Sequence, residues 1–454
     1  MISIQDLYAI YQQHPVVTTD SRKCPPGSLF FALKGESFDG NLFAAKALEA
    51  GCAAAIVDDA RVVPADADAD KHYLLVDDVL QTLQHLAAYH RQHFGGPVIQ
   101  ITGTNGKTTT KELVAAVLGR KYKVLYTQGN LNNHIGVPLT LLRLNPRTDE
   151  IAVIETGANH PGEIALLTRI VQPDYGLITN VGHAHIEGFG SFEGVKDTKA
   201  ELYDYLLTKS EAHLFVDASN PHLVEMLEKR GCDINSEKCK RYTSDASTSS
   251  APCIVGSVTA CDPFVEVTWS GRDEKPARVG TRLVGVYNLS NLLSAICVGQ
   301  YFGISTEDIS QALSDYTPGL GRSQYQRIGT NDIIIDAYNA NITSMTAALK
   351  NFGHLQHEHK MLILGGMKEL GAESHSGHVA ILDLVDQLGA DAVWLVGEEF
   401  GEAAQGRDAH YRLFDTVEAV KAVLRNTPPT HCCILIKGSN STRLHELPTT
   451  LEAL

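Results

Sequence analysis

Short apolar runs bounded by glycine or polar clusters alternate along this chain with longer stretches whose apolar residues recur at helical spacing. The first stretch, up to residue 94, carries the run Leu29-Phe30-Phe31-Ala32-Leu33, a helical patch from Leu42 to Ala50 and a strand from Ala53 to Val57. Val63 to Asp70 reads as a polar loop, and Leu80 to Phe94 as a helix that Gly95-Gly96-Pro97 ends. From Val98 onward strands and helices alternate. Strands are expected at Val98–Ile101, Ile151–Ile154, Gly176–Thr179 and His213–Val216, with helices at Lys107–Leu118 and Gly194–Leu207. Such alternation argues for a parallel sheet with crossover helices. Between Val255 and Val286 the period drops to that of strands, with a turn at Gly271-Arg272-Asp273-Glu274, and Asn288 to Phe302 returns to helix. A second alternation starts near Gly321, with strands at Asp332–Ile335, Met361–Leu364, Ala392–Val396 and Cys432–Ile436. The expected fold is α/β in three domains. These are a small α/β domain over 1–94, a central parallel-sheet domain over 95–320, and a Rossmann-like domain over 321–454.

Composition narrows the picture by exclusion. The chain has 454 residues, 44% hydrophobic and 20% charged, which is ordinary for a globular protein. No apolar run is long enough for a membrane span, and the start MISIQDLYAIYQQHP lacks the basic flank and apolar core of a secretion signal. A cytoplasmic protein is therefore expected. A formal charge of −15 disfavours a nucleic-acid partner, although a local cluster of amides and one lysine still suits a nucleotide. Nine scattered cysteines read as reduced, mostly buried thiols. Cys232, Cys239, Cys253 and Cys261 are spaced too widely for zinc knuckles. Cys432 and Cys433 belong to a buried strand.

The strongest motif is Thr102-Gly103-Thr104-Asn105-Gly106-Lys107-Thr108-Thr109, set between a strand and a helix. Its glycines let backbone amides turn toward an anion, and the helix N-terminus adds partial positive charge. Lys107 suits the β- and γ-phosphates and the Thr108 hydroxyl suits Mg²⁺, so the central domain reads as P-loop-type, a motif that alone fits a kinase, a GTPase or a motor equally well. Glu155, at the end of its strand and before Gly157, is well placed for the metal. Thr179 to His185 ends another strand with two imidazoles, His183 and His185, whose spacing alone does not put both on one metal.

At these residues the chain resembles the Mur ligase superfamily, along essentially its whole length. GTNGKTT, Glu155-Thr156-Gly157-Ala158-Asn159 and Asn180-Val181-Gly182-His183-Ala184-His185 occur in that family's order. Gly129 to Leu139, Gly182 to Gly190 and Asp336-Ala337-Tyr338-Asn339-Ala340-Asn341 are similar to the branch that adds D-alanyl-D-alanine to UDP-N-acetylmuramoyl-tripeptide. The resemblance implies an ADP-forming ligase that activates a carboxylate as an acyl phosphate. It also implies a place in cytoplasmic peptidoglycan precursor synthesis, and through it in cell shape and division.

Carried over by motif, Gly103, Thr104, Asn105, Gly106, Lys107, Thr108 and Thr109 bind ATP, with Asn291 on the adenine side, Arg322 on the γ-phosphate and Asp336 on the ribose. Two Mg²⁺ ions are implied, held by Thr108, Glu155, His185 and Lys199. Lys199 matches a lysine that CO₂ converts to a carbamate, and read by spacing alone it would be a solvated helix face with Glu201. Lys107, Lys199, His185 and Arg322 are the implied catalytic set. Ser21 and Arg22 would hold the UDP-sugar, Asn132 and Asn133 the sugar–peptide, and Tyr338, Asn339 and Asn341 the dipeptide. Two departures stand out: Ile342 where proline is common, and Gly366 where the loop usually carries an aspartate. His354, His357 and His359 read as a solvated link. The implied partners are small molecules, with the chain acting as a monomer. Rival readings are a Mur-type ligase adding one amino acid, a folylpolyglutamate synthetase-like ligase, or an ATP-driven switch that needs no second metal.

Overall fold

A computed structural model describes residues 2–65, 72–183, 186–245, 247, 253–271, 275–319, 321–368, 370–407 and 410–453. Most of the turn at 271–274, the end of the polar loop at 63–70, and His185 lie outside the described residues.

Among the described residues, three sheets carry the fold. The first is parallel, with strands Val17–Thr18, Leu29–Phe31, Ala54–Val57 and Tyr73–Leu75 in chain order. Helix Val79–Gln92 leaves it and packs on the next sheet's helices Gly136–Leu141 and Glu163–Val171. Arg91 fixes that junction from a buried position, donating to the carbonyls of Val171, Phe94 and Gln172 and pairing with Asp174 at 2.9 Å.

In the second sheet Val98–Thr102 lies between Tyr175–Ile178 and Ile151–Glu155, so the chain order reverses at this strand. Successive side chains of a strand face opposite ways. Ile99 and Ile101, with Ile151 and Val153, therefore pack under helices Lys107–Leu118 and Leu289–Tyr301, while Val98, Ala152 and Ile154 face the core shared with the first sheet. Seven parallel strands end at Cys253–Cys261, after which Phe264–Ser270 and Ala277–Val284 run antiparallel. That last strand stops at Val284, two residues short of its expected end. Gly285, at φ 101°, turns the chain into a 3-10 turn over Val286–Asn288.

The third sheet has the order Gln324–Ile328, Asn331–Asp336, Cys433–Lys437, Lys360–Gly365, Ala392–Val396, Tyr411–Phe414, with only the first strand antiparallel. Its final strand inserts between the earlier two, so Asp336 and Lys437 end side by side. Both sheet faces are covered, Leu362 and Leu364 on one side and Met361 and Ile363 on the other. No helix among the described residues is long and apolar enough to cross a membrane.

Candidate active site

The reversal at Val98–Thr102 opens a crevice beyond the strand ends, where ligands of doubly wound sheets bind. A cavity of about 560 Å³ lies there, between the second and third sheets. Strand Val98–Thr102 delivers the phosphate loop, and Gly103 (φ 138°) and Gly106 (φ 77°) make the two turns that L side chains resist. A Cβ on Gly106 would sit 2.5 Å from Asn291 Oδ1, so the loop and helix Leu289–Tyr301 approach only because residue 106 has none. Lys107 Nζ donates back to the carbonyls of Gly103 and Thr104, each at 2.8 Å. The backbone of Asn105 is held on both sides. Its N–H donates to Asn180 Oδ1 at 3.0 Å, and its carbonyl accepts from the Thr179 hydroxyl at 2.6 Å.

Glu155 closes its strand inside this crevice, 1% exposed. Its Oε1 accepts from the Thr108 hydroxyl at 3.1 Å and from Asn132 Nδ2 at 2.7 Å, whereas Oε2 is buried with no hydrogen-bond partner. An orphaned carboxylate oxygen costs free energy unless something completes it. The Thr108 hydroxyl and the Glu155 carboxylate are hard oxygen donors of the kind that fit Mg²⁺.

Lys199 is buried, 2% exposed, rather than on a solvated helix face. Its Nζ lies 5.3 Å over the Phe189 ring. Burial first, and the charge of Lys107 second, push its ammonium down to about 7, against the pull of Glu163 and Glu201. Glu201 is occupied elsewhere, accepting from the N–H groups of Gly162 and Ala165 at the start of helix Glu163–Val171. Lys196, one turn earlier, forms ordinary ion pairs with Glu193 and Glu225. His183 is exposed and stacks on Phe192 at 4.7 Å.

The third sheet supplies the opposite wall. Arg322 lies 3.6 Å over the ring of Tyr338, with its buried Nε unpartnered. Asp336 accepts from Lys437 Nζ at 2.6 Å. Thr104 to Thr109, Asn132, Asn133, Glu155, Asn291, Arg322, Asp336, Tyr338 and Asn339 all line the cavity. Gly103, Lys199, Asn341, Ser21 and Arg22 are not among its lining residues, and Arg22 is exposed and paired to Asp20. Asn291 receives the Thr110 hydroxyl at 3.1 Å and donates to Asn288 at 2.9 Å. Its amide thus locks the loop's helix to its neighbour.

Sequence reasoning missed Lys437, Asp217 and Asn180, which also line the cavity. Lys437 and Asp217 are charges closing apolar runs, the same signal that singles out Glu155. Beside Gly366, Glu399 Oε2 lies 2.5 Å from where a Cβ would stand, and Lys368 pairs with this carboxylate. A carboxylate thus reaches the loop from residue 399 in place of residue 366. Cys232 and Cys239 bring their sulfurs to 3.9 Å, while Cys253 and Cys261 donate to Ile254 O and Asn351 Oδ1. His357 faces Asp332 and His359 faces Asp391, so the histidine trio diverges.

Comparison with known proteins agrees with this geometry. Residues 15–91 match the family model described as Mur ligase family, catalytic domain, residues 101–299 the Mur ligase middle domain, and residues 321–440 the Mur ligase, glutamate ligase domain. The UDP-N-acetylmuramoyl-tripeptide–D-alanyl-D-alanine ligase of Escherichia coli (strain K12) is 36% identical over 440 residues, 96% of this chain and 93% of that protein. A crystal structure of MurF from Acinetobacter baumannii superposes with a TM-score of 0.83 at 30% identity, over 96% of this chain and 93% of the other. MurF from Thermotoga maritima in complex with ADP gives 0.81 at 25% identity, over 96% and 97%. With all three domain models matched in order and full-length relatives above 30% identity, the chain belongs to the Mur ligase family.

Proposed function

We propose that this chain joins D-alanyl-D-alanine to UDP-N-acetylmuramoyl-tripeptide, with ATP cleaved to ADP and phosphate, in cytoplasmic peptidoglycan precursor synthesis. The observation that carries this reading is one cavity bounded by the phosphate loop and Glu155 on one wall and by Arg322, Asp336 and Lys437 on the other. Full-length similarity to ligases of that name supports the substrates.

Three regions divide the labour: 1–94 holds the UDP-sugar through Ser21 and Arg22, 95–320 holds ATP, and 321–454 brings the dipeptide. The terminal carboxylate of the tripeptide attacks the γ-phosphorus, ADP leaves, and an acyl phosphate results. The neutral amine of D-alanyl-D-alanine then adds to the acyl carbon, loses a proton, and phosphate departs with the bridging oxygen. Lys107 swings from its loop carbonyls to the transferring phosphoryl group, where a fixed positive charge counts most. Arg322 offers its free Nε from the facing domain. Asn132 and Asn133 orient the peptide carboxylate beside Glu155.

Thr108 and Glu155 would hold Mg²⁺, with His185 added by the resemblance alone. The ion would neutralise phosphate charge there. Lys199 is the candidate for carbamylation. Its lowered proton affinity keeps much of the amine neutral near pH 7, and a neutral amine bonds to CO₂ with loss of one proton. The resulting anion would help orient Mg²⁺.

ADP release with defined UDP-peptides and a panel of amine acceptors tests the assignment. Turnover should require both the UDP-tripeptide and D-alanyl-D-alanine. Robust turnover with a free single amino acid in place of the dipeptide would move the chain to another branch of the family.

A further inference from the structure

Asn341 opens helix Ile342–His354, and its side chain does two jobs at once. Its Oδ1 accepts from the Ser344 N–H at 2.9 Å, while the Ser344 hydroxyl receives the Asn341 N–H at 3.1 Å, a reciprocal capping box. Its Nδ2 then leaves the domain and donates to Asn105 Oδ1 at 2.8 Å, and Asn105 Nδ2 returns the contact at 3.4 Å. The two residues are 236 positions apart, and Asn341 is 4% exposed. Asn105 is itself part of the phosphate loop, with its backbone tied to Thr179 and Asn180. Its amide is therefore held rigidly toward the facing domain. Beside the pair, Thr343 Oγ1 lies 3.1 Å from where a Cβ on Gly182 would stand, so the same helix turn is seated on the loop after strand Tyr175–Ile178.

We infer that the Asn105–Asn341 amide pair is a latch that couples the phosphate loop to the domain bringing the amine, so that Asn341 is a positioning residue rather than a dipeptide contact. A paired amide has one donor and one acceptor on each side and no charge. It fixes register between the two domains, as an ion pair beside a polyphosphate would not, and it can open again for product release. Helix Ile342–His354 also carries Thr343, Ser344 and Ala347 along the cavity wall, so closing the latch sets that wall against the phosphates. The assignment of the moving amine rests on the function proposed above; the latch itself does not.

The test separates capping from latching. Asn341→Ser keeps an oxygen able to cap the helix but cannot span to Asn105. Ligation should fall about tenfold in kcat/KM for the amine acceptor, with an unchanged melting temperature. In an Asn105→Ala background, the same Asn341→Ser change should cost nothing further, because coupled partners are non-additive. X-ray scattering of the full chain with a non-hydrolysable ATP analogue and Mg²⁺ should give a larger radius of gyration for Asn341→Ser than for the unaltered chain. Scattering needs no acceptor, so it reads the latch even if the amine is a different one. An equal tenfold loss in both backgrounds, or an unchanged radius, would overturn the latch and return Asn341 to the dipeptide.

Discussion

Glu155 and Lys199 both sit where an isolated charge is costly, one carboxylate oxygen without a partner and one amine buried away from water. The costs make sense if each is completed by something else, a cation for the first and CO₂ for the second. Lys199→Ala should then inactivate ligation, and formate or acetate should restore part of it in proportion to concentration, whereas chloride at matched ionic strength should not. A fully active variant would remove the carbamate. The sign of the pH effect follows from the lowered affinity of this lysine. Between about 7 and its ordinary value of 10.5 the unfolded chain binds the proton and the folded chain does not. The unmodified protein therefore carries the full penalty below about 7 and gains stability as pH rises through that window. Activation by added bicarbonate should likewise strengthen from pH 6 toward 8, which turnover assays with CO₂-depleted buffer can check. Lys107→Ala should lower turnover by about a thousandfold, the scale of removing one fixed group from developing charge. Near-normal turnover at saturating ATP would contradict its place on the phosphoryl group.

Among the elements, the joint between Val98–Thr102 and Lys107–Leu118 is the most tightly specified. Gly106→Ala would force a side chain into a left-handed turn, at about 1–2 kcal/mol, and drive its Cβ against Asn291. Nucleotide affinity should fall at least tenfold by calorimetry while the circular dichroism spectrum is kept; unchanged affinity would mean that the Asn291 contact is dispensable. This joint was legible in advance because strand, glycines, lysine and amphipathic helix lie in one continuous stretch, and the helix spans Lys107–Leu118 as expected. The strands expected at Val98–Ile101, Met361–Leu364 and Ala392–Val396 were equally readable from their mostly apolar residues, and they form as Val98–Thr102, Lys360–Gly365 and Ala392–Val396. Cys239–Thr243 and Gln324–Ile328 were not, since their sequences, CKRYT and QYQRI, are polar and become strands only through pairing with neighbours. Edge strand Tyr411–Phe414 and the three-residue strand Val124–Tyr126 are too short to show a period. The site was legible where chemistry is local, as in the phosphate loop. It was not where two distant strands meet: Asp336 stands in a motif, but its partner Lys437, 101 residues later, emerges only from the inserted final strand.

At the scale of the whole molecule, ligation requires that groups from separate domains converge and that water stays out, because an acyl phosphate hydrolyses readily. The facing walls bring such groups together, with Arg322 and Lys437 on one side of the cavity and Lys107 and Glu155 on the other. On the proposed function, the peptide carboxylate is phosphorylated and then captured by D-alanyl-D-alanine. This chemistry is tested most directly by supplying UDP-N-acetylmuramoyl-tripeptide with both oxygens of its reacting carboxylate as ¹⁸O, together with ATP, Mg²⁺ and D-alanyl-D-alanine, and weighing the products by mass spectrometry. Acyl-phosphate chemistry gives a UDP-pentapeptide that keeps one ¹⁸O in its new amide and inorganic phosphate that carries the other. Unlabelled phosphate, or labelled tripeptide left intact while ADP accumulates, would contradict it.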